Sequence, residues 1–296
     1  MIMKGKYFIS AFAVIVLQIS CVTGEHIRYG SNVKAGKYIE VNDIKVYYEE
    51  YGKGEPLLLL HGNGGSIANF TFQIPELSKH YRVIAVDSRA QGRSTDSDQE
   101  ITYALMASDM SELIRKLHLG SVNVLGWSDG GNVGLELAYA HPEQVKKLIT
   151  FGANYTHVNY EAPDDSIVMS PDDPMVKRAL AIRNMQGMDA ESLSPDPGRL
   201  PLIRKKLNDL MDKYPNFTPA QLSQIKTPVL VAAGDHDLIS IDHTVSLFKS
   251  LPHAEMLIVP AATHFVLLEQ PEFTNREIIK FLDTPYRDIS RSYFFR

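Results

Sequence analysis

The chain is predicted to fold as an α/β domain: a mostly parallel sheet flanked by helices, with a helical segment inserted into it. Three features of the sequence carry that prediction. Short apolar runs alternate with stretches of helical periodicity, which is the rhythm of strands joined by crossover helices. Several of the runs, such as Pro56-Leu-Leu-Leu-Leu60, are continuous rather than alternating, as expected of strands buried on both faces. The rhythm then breaks between about 155 and 219 and resumes afterwards. With 296 residues, 44% of them hydrophobic, the chain can bury a full core.

The elements follow in order. Lys37–Val41 and the alternating Ile44–Tyr48 read as an antiparallel pair turning at Asn42-Asp43. Pro56–Leu60 is the first buried strand and ends at the glycine-rich loop His61-Gly-Asn-Gly-Gly65. A helix is expected over Phe70–Ser78 and a strand over Tyr81–Val86. Thr102–Leu117 carries Leu105, Met106, Met110, Leu113, Ile114 and Leu117 on one helical face. The run starting at Val122 leads into Gly126-Trp-Ser-Asp-Gly-Gly131, and a helix is expected from Asn132 to Ala140. Val145–Phe151 is the next strand. The irregular segment 155–219 is punctuated by Asp-Pro and Pro-Gly pairs but holds helical patches at Met175–Met185 and Leu200–Tyr214. It reads as a helical cap rather than a linker. A strand from Val229 to Ala233, a helix over Thr244–Leu251, a strand over Glu255–Val259 and a helix near Pro271–Leu282 complete the pattern.

Residues 1–24 differ from the remainder. Lys4 and Lys6 precede an uncharged apolar stretch from Tyr7 to Ile19, followed by small and polar residues, which is the pattern of a signal peptide. That stretch is shorter than the ~20 apolar residues of a membrane span. Two ends of the leader fit: a cut after Gly24, or a cut before Cys21, which follows a loose lipobox and would become a lipidated first residue anchoring residues 25–296 at a membrane. Loss of Lys4 and Lys6 would move the formal charge from −5 to −7. Cys21 is the sole cysteine, so no intramolecular disulfide can form. No basic run interleaved with aromatics points to a nucleic-acid partner.

The chemistry concentrates at Ser128. A Gly-x-Ser-x-Gly between a strand and a helix places the serine on a turn too sharp for neighbouring Cβ atoms, so that its hydroxyl stands above the sheet. A serine hydroxyl needs a base, itself oriented by an acid. In this kind of sheet the partners follow in the order Ser, acid, His, and loops at two strand ends supply them: Asp237 in Gly234-Asp-His-Asp237, and His264 in Thr263-His-Phe265. Asp235 rivals Asp237 as the acid. His61 rivals His264 as the base, but in a His-Gly loop it reads as a residue that fixes backbone. Asp235-His236-Asp237 lacks further histidines at ligand spacing, so no metal site and no cofactor are expected. Backbone N–H groups of Asn63 and Asp129 are the expected oxyanion donors. Trp127 and Asp129, which flank the serine, are candidate substrate contacts.

These motifs resemble those of the cap-bearing α/β-hydrolases. His61-Gly62 is similar to the family's oxyanion loop, and Asp87-Ser-Arg-Ala-Gln-Gly-Arg-Ser94 to its D-x-R-G-x-G-x-S segment, with Ala90 in place of the first glycine. The elbow and Phe151-Gly-Ala-Asn154 resemble the valacyclovirase (biphenyl-hydrolase-like) branch, which hydrolyses α-amino acid esters. The resemblance covers roughly 36–283. It implies a cofactor-free serine hydrolase of small-molecule carboxylic esters, with Asp129 as a candidate partner of an α-ammonium group. An aminopeptidase or amidase, or a carbon–carbon bond hydrolase, would use the same three residues, and a non-catalytic receptor is the option of a different class.

Overall fold

The computed structural model of the protein describes residues 27–157 and 190–289. The leader with Cys21, and the helical patch expected at Met175–Met185, lie outside these residues. Within them one sheet contains β1 (Gly36–Val41), β2 (Ile44–Tyr51), β3 (Pro56–Leu60), β4 (Arg82–Val86), β5 (Val122–Trp127), β6 (Val145–Phe151), β7 (Val229–His236) and β8 (Ala254–Thr263). Their spatial order is β1-β2-β4-β3-β5-β6-β7-β8. β2 pairs antiparallel with both β1 and β4, and every later pairing is parallel. From β3 the chain moves first to one side, to β4, and then to the other, to β5. That reversal opens a crevice at the strand ends, where loops from both directions meet.

The helices are α1 (Ile74–Leu77), α2 (Tyr103–Lys116), α3 (Asp129–Ala140), α4 (Leu200–Lys213), α5 (Pro219–Leu222), α6 (Ile241–Ser250), α7 (Val266–Glu269) and α8 (Pro271–Asp283). They cover both faces of the sheet, and the strands divide their side chains accordingly. Leu58 and Leu60 of β3 join Met106, Met110 and Leu113 of α2 and Val133 and Leu137 of α3. Leu57 and Leu59 join Ile278 and Phe281 of α8 on the other face. A period of two on a strand buried on both sides is thus read as an uninterrupted apolar run. Among the described residues, no helix is long and apolar enough to cross a membrane.

Several boundaries differ from the sequence expectation, each for a local reason. Instead of one helix over Phe70–Ser78 there is a 3-10 turn, Ile67–Phe70, opened by a Ser66/Asn69 capping box, and then the short α1 with Pro75 in its first turn. α3 begins at Asp129 rather than Asn132, because glycines 130 and 131 are needed for close packing and do not mark a loop. β8 continues past Pro260 to Thr263; as the edge strand it has a free side on which proline leaves no ladder bond unmade.

The segment expected as a cap returns to its starting point. Thr156 bridges Asn216, and the Phe217 N–H donates to the Tyr155 carbonyl at 2.8 Å. α4 buries Ile203, Leu207 and Leu210 on one face. Arg199, Lys206 and Lys213 recur every seven residues, so they share a second face. They pair with Asp96 and Asp98, Asp96, and Glu100 respectively, which fixes α4 against the chain that follows β4.

That chain is itself held by a buried ion cluster. The Arg89 guanidinium, fully buried, donates two bonds to Asp109 (2.8 and 2.7 Å), one to Asp43 (2.8 Å) and one to Ser97 (3.0 Å). Ala90 beside it adopts φ 65°, the left-handed region in which glycine is free and alanine is strained.

Candidate active site

Ser128 stands between β5 and α3 with φ 55° and ψ −121°, a conformation that costs a non-glycine residue about 1–3 kcal/mol. The neighbours over-determine it. Its N–H donates to the Phe151 carbonyl at 2.7 Å, and its own carbonyl accepts from Gly131 at 2.7 Å. A Cβ on Gly126 would collide with the backbone of Gly130, and one on Gly130 would collide with the Leu60 carbonyl. Gly62, in the loop after β3, approaches so closely that a Cβ there would sit 3.0 Å from that of Ser128.

The two loops after β7 and β8 meet. His264 Nδ1 lies 2.7 Å from Asp237 Oδ1, and the Asp237 side chain is wholly buried while His264 keeps 12% exposure. Asp237 Oδ1 also accepts from the Ile239 N–H at 2.9 Å, whereas Oδ2 has no partner among the described residues. Gly152, after β6, leaves the room they need: with φ 62°, it would place a Cβ 2.7 Å from the imidazole and 3.0 Å from Asp237 Oδ2. Trp127 binds this corner to the elbow, because its indole N–H donates to the His264 carbonyl at 2.8 Å and its ring packs edge-on against Phe265.

The rivals are accounted for by other partners. Asp235 accepts from the Ala262 N–H at 3.1 Å and pairs with His236 at 2.8 Å, away from His264. His61 is buried with both ring nitrogens engaged: Nδ1 donates to the Gly62 carbonyl at 2.8 Å and Nε2 accepts from the Ser88 N–H at 3.0 Å. Burial lowers its pKa to about 4, so it remains a neutral backbone brace. Among the described residues, no group of three acidic, histidine or cysteine side chains could hold a metal.

Ser128, His264, Trp127, Asn63 and Gly62 line one pocket of about 340 Å³ together with Gly65, Asn69, Met211, Leu238 and Phe265. Among the described residues, neither the Asn63 nor the Asp129 N–H has a backbone acceptor, and for Asp129 the reason is general, since the first N–H groups of a helix lack one. Asp129 is only 4% exposed, and its carboxylate accepts from the Tyr103 hydroxyl (2.7 Å) and the Asn63 side-chain amide (2.9 Å). Burial raises its pKa, and those two bonds oppose the rise.

Tyr103, Gln91 and Met211 were not visible as site residues in the sequence. Tyr103 looks like a helix-opening core aromatic, and Met211 like one more position on an amphipathic helix. Gln91, whose side-chain oxygen accepts from the Gly64 N–H at 2.6 Å, lies in a segment whose motif marks other positions.

A family model for the alpha/beta hydrolase fold matches residues 55–221, more than half of the chain. The serine hydrolase BPHL of Mus musculus is 26% identical over 277 residues, covering 86% of this chain and 88% of its own. A Haemophilus influenzae protein named "Putative esterase/lipase" is 26% identical over 240 residues, covering 77% and 83%. The 2-hydroxy-6-oxo-6-(2'-aminophenyl)hexa-2,4-dienoic acid hydrolase of Metapseudomonas resinovorans is 25% identical over 281 residues, covering 86% and 93%. The family match, the sheet order and a strained serine at the end of β5 agree: this chain is a member of the α/β-hydrolase fold family.

Proposed function

We propose that the protein is a serine hydrolase that cleaves a carboxylic ester through an acyl-enzyme, with Ser128 as nucleophile, His264 as base and Asp237 as its orienting acid. The observation that supports it most is the 2.7 Å contact between His264 and the buried Asp237, with His264 lining the same pocket as a strained serine. With Nδ1 donating to Asp237, the tautomer leaves Nε2 to take the Ser128 proton. Ser128 Oγ then adds to the acyl carbon, and the oxygen that gains charge is received by the N–H groups of Asn63 and Asp129. Collapse expels the alcohol, which carries off the proton from His264. Water, deprotonated by the same imidazole, attacks the acyl-serine and releases the acid.

Ser128→Ala should lower turnover of a short-chain ester by roughly 10³-fold or more and abolish labelling by a fluorophosphonate, with the fold intact by circular dichroism. Full residual turnover would refute the assignment. Unlabelled wild type that still binds the ester would point to the receptor reading. An ester, an amide and a vinylogous diketone compared on one preparation separate the esterase from the amidase and from a carbon–carbon hydrolase, the last suggested by the dienoic acid hydrolase relative.

A preference for α-amino esters is a second reading, supported by the buried Asp129 carboxylate one residue beyond the nucleophile. It predicts that an α-amino ester outcompetes its des-amino analogue in wild type and loses that advantage in Asp129→Ala. Equal selectivity in both proteins sinks it. We also propose that the leader directs export. The N-terminal mass of the mature protein distinguishes a lipidated Cys21 from a cut after Gly24, and an intact Met1 would rule out both.

A further inference from the structure

Asn63 lies in Gly62-Asn-Gly-Gly65, where the flanking glycines leave the backbone free to turn in several ways; Gly64 has φ 65° with no atom near its missing Cβ. An oxyanion donor works only if its N–H is aimed before the reaction begins. One backbone bond, from the Gly65 N–H to the Gly62 carbonyl at 3.1 Å, closes the turn around Asn63, and the Asn63 side chain shows what anchors it further. The Nδ2 donates to Asp129 Oδ2 at 2.9 Å and to the Leu207 carbonyl of α4 at 3.3 Å. Both neighbours are acceptors, so the orientation of the amide is decided by its surroundings. Asp129 is fixed in turn by the Tyr103 hydroxyl on Oδ1 at 2.7 Å.

We propose that Asp129 is a positioning residue for the oxyanion loop: its carboxylate, held by Tyr103 at the start of α2, anchors the Asn63 side chain and thereby aims the Asn63 N–H, with α4 as the second anchor. The inference rests on the serine-hydrolase reading above. It gives the carboxylate a role for every substrate, whether or not that substrate carries an ammonium group. It also accounts for a buried carboxyl group beside the place where an oxyanion develops, with a donor on each of its oxygens. Gln91, bonded to the Gly64 N–H, braces the same loop from its other side.

The test uses a neutral short-chain ester and an alkylboronic acid, which adds to Ser128 and places an oxygen in the oxyanion site. Asp129→Asn keeps the shape but can accept from only one of its two donors, and its own amide then faces the other. We expect kcat to fall about tenfold or more with KM changed by less than about threefold, and the boronate inhibition constant to rise by a factor comparable to the fall in kcat. Tyr103→Phe, which removes the bond to Asp129 Oδ1 and no charge, should move the same quantities by about threefold and carries the test if Asp129→Asn does not fold. Wild-type kcat on the neutral ester in both variants overturns the proposal. So does a loss confined to α-amino esters, or one expressed in KM alone. If Ser128→Ala still turns over the ester, it is the underlying serine-hydrolase reading that has failed.

Discussion

Two corners of the molecule pair a buried carboxylate with a cationic or potentially cationic partner, and they are built on opposite principles. After β4, Arg89 spends its guanidinium donors on Asp109, Asp43 and Ser97, while His61 nearby has both ring nitrogens bonded. After β7 and β8, Asp237 keeps an oxygen without a partner and His264 reaches the pocket with its second nitrogen uncommitted among the described residues. A closed network holds chain in place, and nothing in it can be exchanged with a substrate. The open corner leaves a ring nitrogen facing the pocket, and three neighbours keep it in shape: Gly152, the Trp127 indole and the loop at Ile239.

Substitutions should divide along the same line. His264→Ala is expected to lower kcat/KM on a short-chain ester by roughly 10³–10⁴-fold while thermal unfolding barely moves; a large drop in melting temperature with activity retained would invert the contrast. Asp109→Ala should do the reverse, because it leaves a fully buried guanidinium short of two bonds. About 3–5 kcal/mol of stability should be lost in urea titrations, with kcat of the remaining folded protein unchanged.

The two histidines give a pH test. His61 has a folded pKa of about 4 against 6.5 when unfolded, so between those values the unfolded chain binds the extra proton. Its contribution to stability is complete above about pH 6.5 and is lost as pH falls to about 4. His61→Gln should cost about 1–3 kcal/mol at pH 7, because glutamine can still offer an acceptor to the Ser88 N–H but has no donor in place of Nδ1 for the Gly62 carbonyl. That deficit should shrink, and then reverse, on acidification to pH 4, by up to about 3 kcal/mol in all. Asp87, whose pKa burial raises to about 7, runs in the opposite direction but is common to both proteins and drops out of the difference. A pH-independent deficit would mean that His61 is not buried neutral. The smallest effect belongs to Trp127→Phe, which keeps an aromatic ring but removes the indole N–H and its bond to the His264 carbonyl; kcat/KM should fall about fivefold. No change would remove Trp127 from the corner's supports.

How far the site could be read beforehand depended on how local its determinants are. Gly126, Gly130 and Gly131 are legible because the elbow's crowding is set within a few residues, and Gly62 because it abuts the serine from a recognisable loop. Asp235 and Asp237 stand together at the end of β7 and differ little in sequence; His264 meets Asp237, and the β7–β8 register shifts between Gly234 and His236 beside them. Nothing in the sequence marks Tyr103, the aromatic that opens α2, as a site residue. Only the fold brings its hydroxyl to Asp129, 26 residues away. Ala90 could be identified as an odd residue at a glycine position, yet only the structure shows that it keeps a left-handed φ of 65° there.

Sequence alone determined the order of the strands and of the longer helices among the described residues, the strained serine turn and the two loops that bring Asp237 and His264 together, since periodicity, glycine placement and spacing act over short stretches of chain. The tertiary structure decided which carboxylate meets the imidazole, what holds Asn63, and where α4 rests. Those depend on contacts such as the 2.9 Å bond from Asn63 to Asp129 and the pairing of Lys206 with Asp96, between residues 66 and 110 positions apart, and distance along the chain carries no information about them until the sheet has formed.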